Sequence, residues 1–487
     1  EEQTVHIPDG HTNVVDKDTK DRISKADKEV TLIDTVTYSN LLAGKEYEVT
    51  GTLMNKETGE PILVDGKEVK STVKFTAPTP EDGSKYVSGT VDVTFKFDGS
   101  ALAGKAVVAF EKVTYKGITV FTHADINDND QTDYFPDGHT TITDNNTKDQ
   151  ITYAQGEISI TDTVHYEGLL AEREYEVTGV LYDKKTGKPL KIDGKEVTAS
   201  TKFTTPAAKE GKETVDGTVD VTFKFAGSKG LEDSEFVAFE TVTRNGAEVF
   251  VHADIDDVAQ TVTVPGGRTT ATDSETGNHT SYADKDVTII DRVEYEGLLP
   301  EKEYKVEGKL MNKETGKPIL VDGKEVTATA KFTTPKAEDE GLRVSGHVDV
   351  TFKFDGRALA GTTAVVFEDV YYNGVKVFIH ADLEDKAQTI EFPSVKTSVK
   401  DAADNDRKIT AKGTATMIDT VTYTNLVPGK SYTLKGVIMD KATGKPLTVD
   451  GKEVTASTTF VPEKKNGTAE VTFKFDASKV KPGNYVV

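Results

Sequence analysis

Val91-Asp92-Val93-Thr94-Phe95-Lys96-Phe97 alternates apolar and polar side chains at every step. An extended chain points successive side chains to opposite faces, so this stretch predicts a strand with one face inward and one in water. The pattern returns at Val219 to Phe225, His347 to Phe354 and Glu470 to Phe475. Asp65-Gly66, Asp193-Gly194, Asp322-Gly323 and Asp450-Gly451 stand between short apolar runs. Asp-Gly there supplies the positive φ angles of a tight hairpin turn. Thr58-Gly59, Thr186-Gly187, Thr315-Gly316 and Thr443-Gly444 mark a second turn, and no useful stretch has helical period beyond short turns near Ser100 to Gly104. Strands and turns at this density predict an all-β chain of immunoglobulin-like antiparallel β-sandwich domains.

The chain repeats itself. Asp34, Asp162, Asp291 and Asp419 are spaced by 128, 129 and 128 residues, so the 487 residues form an array of modules. The expected division is residues 1–6 as the tail of a preceding repeat, full repeats at 7–133, 134–262 and 263–391, and a truncated fourth at 392–487. The opening Gln3-Thr4-Val5 matches Gln260-Thr261-Val262, and the close at Tyr485-Val486-Val487 stops where other repeats continue to Phe-Glu. The expectation is therefore a piece of a longer protein. Short joints at Phe135-Pro136, Val264-Pro265 and Phe392-Pro393 predict a stiff, elongated and monomeric rod.

Composition narrows the partners. A formal charge of −23 argues against nucleic acid and against an anionic membrane surface. The charge is spread through every repeat, as on a solvated surface. No apolar run is long enough to span a bilayer, so membrane insertion is not expected. There is no Cys, hence no disulfide and no thiolate metal site.

Two acids per repeat occupy places where strands bury side chains. Asp34 shares a face with Val30, Leu32, Val36 and Tyr38, and Asp162, Asp291 and Asp419 have equivalent neighbours. Glu111 shares a face with Val107, Ala109 and Val113, as do Glu240 and Glu368 with their counterparts. A carboxylate on an apolar face must be paired or protonated. Two such groups close together share a proton, and the neutral acid can donate to a carbonyl oxygen that is gaining charge.

Three further positions recur in step with the acids. His123, His252 and His380 open a phrase His-Ala-Asp that ends five residues later in Gln-Thr, at Gln131, Gln260 and Gln388. About 110 to 120 residues upstream stand Thr12, Thr140 and Thr269, and Thr397 opens a fourth copy. Each is unremarkable alone. Together they make a reaction set of hydroxyl nucleophile, imidazole base, acid pair and carboxamide electrophile.

These residues resemble the T-Q ester-bond domains, or VaFE repeats, of surface-anchored adhesins of Gram-positive bacteria. The phrase appears as Val108-Ala109-Phe110-Glu111, Val237-Ala238-Phe239-Glu240 and Val365-Val366-Phe367-Glu368. The resemblance covers essentially the whole chain, and it implies a spontaneous ester between the Thr hydroxyl and the Gln carboxamide carbon, with loss of ammonia. Carried over, it joins Thr12 to Gln131 with Asp34, Glu111 and His123 assisting. It joins Thr140 to Gln260 with Asp162, Glu240 and His252, and Thr269 to Gln388 with Asp291, Glu368 and His380. The first Thr of each pair is chosen because Asn13 holds the second place in repeat 1. Repeat 4 keeps Thr397 and Asp419 but lacks Glu, His and Gln, an incomplete site. In the expected mechanism His takes the Thr proton and the acid pair stabilises the oxyanion.

The implied function is the stalk of an extracellular, cell-wall-anchored adhesin, crosslinked against force and proteolysis. It is not an enzyme beyond one turnover per repeat, it needs no cofactor or metal, and any host ligand binds elsewhere. One rival is a stalk closed by Lys-Asn isopeptide bonds. A second is an array binding Ca2+ or another ligand through loops such as Asn127-Asp128-Asn129-Asp130, which lack regular calcium-loop spacing. A third is a glycosidase using the paired acids, disfavoured by buried tandem sites and the absence of Trp.

Overall fold

The computed structural model describes residues 4–338 and 341–487. Of the expected tail at 1–6, residues 1–3 lie outside the described residues. Repeats 1 and 2, up to Val264, belong to one compact unit, and the body of repeats 3 and 4, from Pro265, to another.

Repeat 1 shows the plan. Its strands are β1 (Asp9–Asp16), β2 (Val30–Leu42), β3 (Glu46–Asn55), β4 (Leu63–Val64), β5 (Lys67–Glu68), β6 (Lys70–Thr76), β7 (Tyr86–Phe97), β8 (Lys105–Tyr115), β9 (Ile118–His123) and β10 (Thr132–Phe135). One sheet has the order β1-β2-β7. The other has the order β10-β8-β3-β6, with β9 also paired to β8. All named pairings are antiparallel. The alternation read at 91–97 is the reason the sheets stack. Val93, Phe95 and Phe97 are buried against Leu32, Val49 and Ala109, while Asp92, Thr94 and Lys96 face water.

The turns follow the same local logic. Asp65 and Gly66 have φ of 51° and 75° and close the β4–β5 hairpin, the conformation that Asp-Gly tolerates cheaply. A 3-10 turn at Ser100–Leu102 tucks Leu102 into the core. Repeats 2 and 3 repeat this arrangement, with first strands Asp137–Asp144 and Gly266–Asp273.

Repeat 4 builds the first sheet from Ser394–Asp401, Thr414–Thr424 and Gly467–Asp476. Its core is smaller, and only Tyr485–Val486 stands in for the β8 region, paired with Met439–Asp440. A groove of about 430 Å³ lined by Met417, Ile438, Leu447 and Phe475 opens into it.

Candidate functional site

Sheet alternation brings the reaction set together from both sheets. On β1, Thr12 lies between exposed His11 and Asn13 and so turns inward. The β1–β2 register sets Thr12 opposite Val36 and Val14 opposite Asp34, which puts the acid beside the hydroxyl. Glu111 and His123 face each other across β8 and β9. Gln131 immediately precedes β10 and hands its carbonyl oxygen to Ala109 N–H at 2.9 Å, which fixes it alongside β8. Val14 N–H donates to Asp130 at 2.9 Å, so the segments bearing Thr and Gln are joined by backbone as well. Ile142 to Ala259 and Ala271 to Ala387 repeat that bond.

The side chains meet in a buried pocket. Thr12, Asp34, Glu111 and Gln131 are each at most 1% exposed. Gln131 Nε2 donates to Thr12 Oγ1 at 2.6 Å and to Glu111 Oε2 at 2.7 Å, and Thr12 Oγ1 donates to the same Oε2 at 3.3 Å. Repeat 2 gives 2.6 Å from Gln260 to Thr140 and 2.7 Å from Gln260 to Glu240. In repeat 3 Gln388 donates to Glu368 at 2.6 Å, while Thr269 Oγ1, equally buried, has no partner. Thr140 and Thr269 point inward, whereas Thr141 and Thr270 are exposed.

Burial, then the charge of the neighbouring Asp, pushes Glu111, Glu240 and Glu368 well above the usual carboxylate range. Asp34, Asp162 and Asp291 are raised too, chiefly by burial and partly offset by hydrogen bonding to the Glu. A pair in this state holds a proton near neutral pH.

The imidazole is arranged differently from the expectation. No hydrogen bond joins His123 to Thr12. Its Nε2 lies 3.0 Å from Asp128 Oδ2, and the buried Nδ1 has no partner. His252 meets Asp257 at 2.8 Å and His380 meets Asp385 at 2.7 Å. A neutral ring that donates Nε2–H to the Asp has Nδ1 as an acceptor. The acid in contact with both Thr12 and Gln131 is thus Glu111, and the His lies one strand away. Asp128, Asp257 and Asp385 were missed as site residues; the fixed spacing of five from each His was the available signal. Asp128, considered above as part of a Ca2+ loop, is committed to His123.

A glycine completes the pocket. Gly51, Gly179 and Gly308 stand opposite the three Glu residues on the next strand. A Cβ on each would come within 2.5 Å of the ring of Phe95, Phe223 or Phe352 from the facing sheet. The missing side chain leaves room for that ring to pack against the strand opposite the Glu.

Repeat 4 does not assemble such a site. Thr397 is exposed, and Asp419 is buried with Oδ1 unpartnered and its carboxyl raised by desolvation. Among the described residues no Lys is buried, which leaves the isopeptide rival without its amine, and no cluster of three His or acids could hold a metal.

Buried Thr, acid pair and Gln at both ends of a β-sandwich define a class of self-crosslinking domain. The T-Q ester bond containing domain model matches residues 9–134, 137–264, 265–392 and 393–487, so the chain belongs to that family. Among solved structures, a Mobiluncus mulieris adhesin containing intramolecular disulfide, isopeptide and ester bond cross-links is similar at 14% identity. The match covers 56% of this chain and 90% of that one, with a TM-score of 0.24. A structure titled BspA_C_WT matches at 11% identity over 49% of this chain and 98% of that one, also with a TM-score of 0.24. These scores are too low to carry a structural argument. Comparison with curated proteins found no match.

Proposed function

We propose that repeats 1 to 3 each close an intramolecular Thr–Gln ester and that the chain is the stalk of a cell-surface adhesin. The observation that carries this reading is the contact of the Gln amide with both the Thr hydroxyl and a raised Glu, at 2.6 and 2.7 Å in repeats 1 and 2. Thr Oγ1 attacks Gln Cδ, the Oγ1–Cδ bond forms and the Cδ–Nε2 bond breaks. The Thr proton passes to Glu Oε2, and Nε2 takes a proton from the same acid pair to leave as ammonia. Asp34 and its equivalents keep that pair charged with one proton. His123, held by Asp128 and opposite Glu111 on the neighbouring strand, favours the ionised form of Asp34 electrostatically. The pocket excludes the water that would otherwise hydrolyse the product.

The bond would tie the first strand to the segment before the last, 119 residues apart in repeat 1 and 120 in repeat 2. Treated as a crosslink closing a loop of that length, it restricts the unfolded chain by about 4–5 kcal/mol. Force on the termini would pass through it and bypass the interior strands, which suits a stalk outside the cell, anchored to the wall. The chemistry is one turnover per repeat, without cofactor. The ligand of the parent adhesin would bind beyond this chain.

Peptide mapping tests the reading. After digestion, a species joining the Thr140 and Gln260 peptides, opened by hydroxylamine, is expected. Separate peptides with an intact Gln260, or a joined species that survives hydroxylamine, would overturn it.

A further inference from the structure

Repeat 2 grips both ends of the repeat 1 clasp with one side chain. The segment leaving β1 carries Arg22, and its Nη2 lies 2.8 Å from Glu213 Oε2. The segment that carries Gln131 also carries Asn129, and its Nδ2 donates to Glu213 Oε1 at 3.0 Å. Glu213 itself belongs to repeat 2, fixed by its carbonyl accepting from Ala171 N–H at 2.9 Å. One carboxylate therefore holds the Thr12 arm with one oxygen and the Gln131 arm with the other.

The surroundings make this more than a surface ion pair. The Arg22 side chain is only 15% exposed, and it also donates to the Asn129 carbonyl. Ile23, next to it, is fully buried in the core of repeat 2, and Tyr134 packs against that core. Asp21 accepts from Arg244 at 2.9 Å and lies 3.5 Å from Arg173. Lys25 meets Glu248 at 2.7 Å, and Asn245 donates to the Thr19 carbonyl at 2.8 Å. Lys56 brings a second cation to the same corner and feels Arg22 as a repelling charge and Glu213 as an attracting one.

Repeat 2 shows what the arrangement replaces. At the place of Arg22 it has Gln150, whose Nε2 donates to the carbonyls of Val258 at 2.6 Å and Thr261 at 2.8 Å. A neutral amide ties those two arms without help. In repeat 1 the tie is a guanidinium, whose Nη1 reaches the Asn129 carbonyl while Nη2 takes its ion-pair partner, Glu213, from repeat 2.

We propose that Glu213 is a positioning residue for the repeat 1 ester, so that docking of repeat 2 brings Thr12 and Gln131 into the reactive geometry. This rests on the ester reading above. Repeat 1 then closes faster once repeat 2 has folded against it, a preferred order of crosslinking built into the chain.

The test uses the full chain made by cell-free synthesis, quenched in acid denaturant at intervals and mapped for each Thr–Gln peptide pair. Repeats 2 and 3 serve as controls within the same molecule. Glu213→Ala should slow closure of repeat 1 by about two- to fivefold, the range that loss of a partly exposed ion pair gives, and leave repeats 2 and 3 unchanged. Raising salt should slow repeat 1 in the wild type and not in the variant. Glu213→Asp, which keeps the charge, should recover part of the rate. Equal repeat 1 rates in wild type and Glu213→Ala would overturn the inference and leave the ester reading standing. No joined peptides in any repeat would sink the ester reading itself.

Discussion

Asp133→Val should stabilise repeat 1. Asp133 lies on β10, two residues past Gln131, fully buried with neither carboxyl oxygen in a hydrogen bond. Repeats 2 and 3 place Val262 and Ile390 there, both fully buried. Ser24 faces the carboxyl, and its hydroxyl also lacks a partner. Its counterparts Thr152 and Ser281 donate to Asp144 and Asp273 at 2.8 Å. An unpartnered buried polar group costs about 1–3 kcal/mol. Val is about one methylene larger than Asp, but the same place holds Val262 and Ile390 in repeats 2 and 3, so the change adds no cavity and little strain. A gain of about 1–3 kcal/mol follows, and Ser24 is freed to turn to Asp16. The gain depends on pH. Burial, reinforced by the charge of Asp16, holds Asp133 well above the usual carboxylate range. A group raised in this way contributes stability in full below its unfolded value and loses it as pH climbs through its folded value. Wild-type repeat 1 therefore weakens with rising pH, and the gap to the variant widens. Hydrogen exchange of peptides covering 132–135, converted to opening free energies across a pH series, measures this. A variant that opens more readily, or a gap that does not change with pH, would refute the reasoning.

Glu240→Gln keeps the size of the side chain and removes the transferable proton, so bond formation in repeat 2 should slow by about 10²–10⁴-fold; a time course showing wild-type closure there would contradict the relay. Asp257→Asn releases His252 and should slow repeat 2 by about 10²-fold or less, because it acts through the ring. Repeats 1 and 3 report any general folding defect in that variant. The rate of closure in all three repeats should fall as pH rises through the raised values of the Glu residues, since an acid pair stripped of its proton cannot release ammonia. A rate that climbs steadily into alkali would point to hydroxide and not to the pair.

Much of this molecule is written locally. Alternation at 91–97 and the Asp-Gly turns specify strands and hairpins from neighbouring residues alone, and the structure places both as read. The acids were legible because Asp34 and Glu111 interrupt apolar faces, a contradiction visible within five residues. What escaped depends on distant partners. Gly51 has meaning only through the Phe95 ring from the opposite sheet. Asp128 resembles the other solvated acids of its loop until β9 brings His123 over it. Contact of Glu111 with nucleophile and leaving group together is set by the way the two sheets stack, and no pattern along one strand encodes it. Arg22 and Glu213 lie 191 residues apart and meet only across a joint.

The mass of the intact folded chain tests the central claim most directly. Three closed esters predict a mass lower than that of the sequence by three ammonia molecules, and Gln260→Ala should restore one of those losses and no more. A folded wild-type chain at its full unmodified mass would contradict the account.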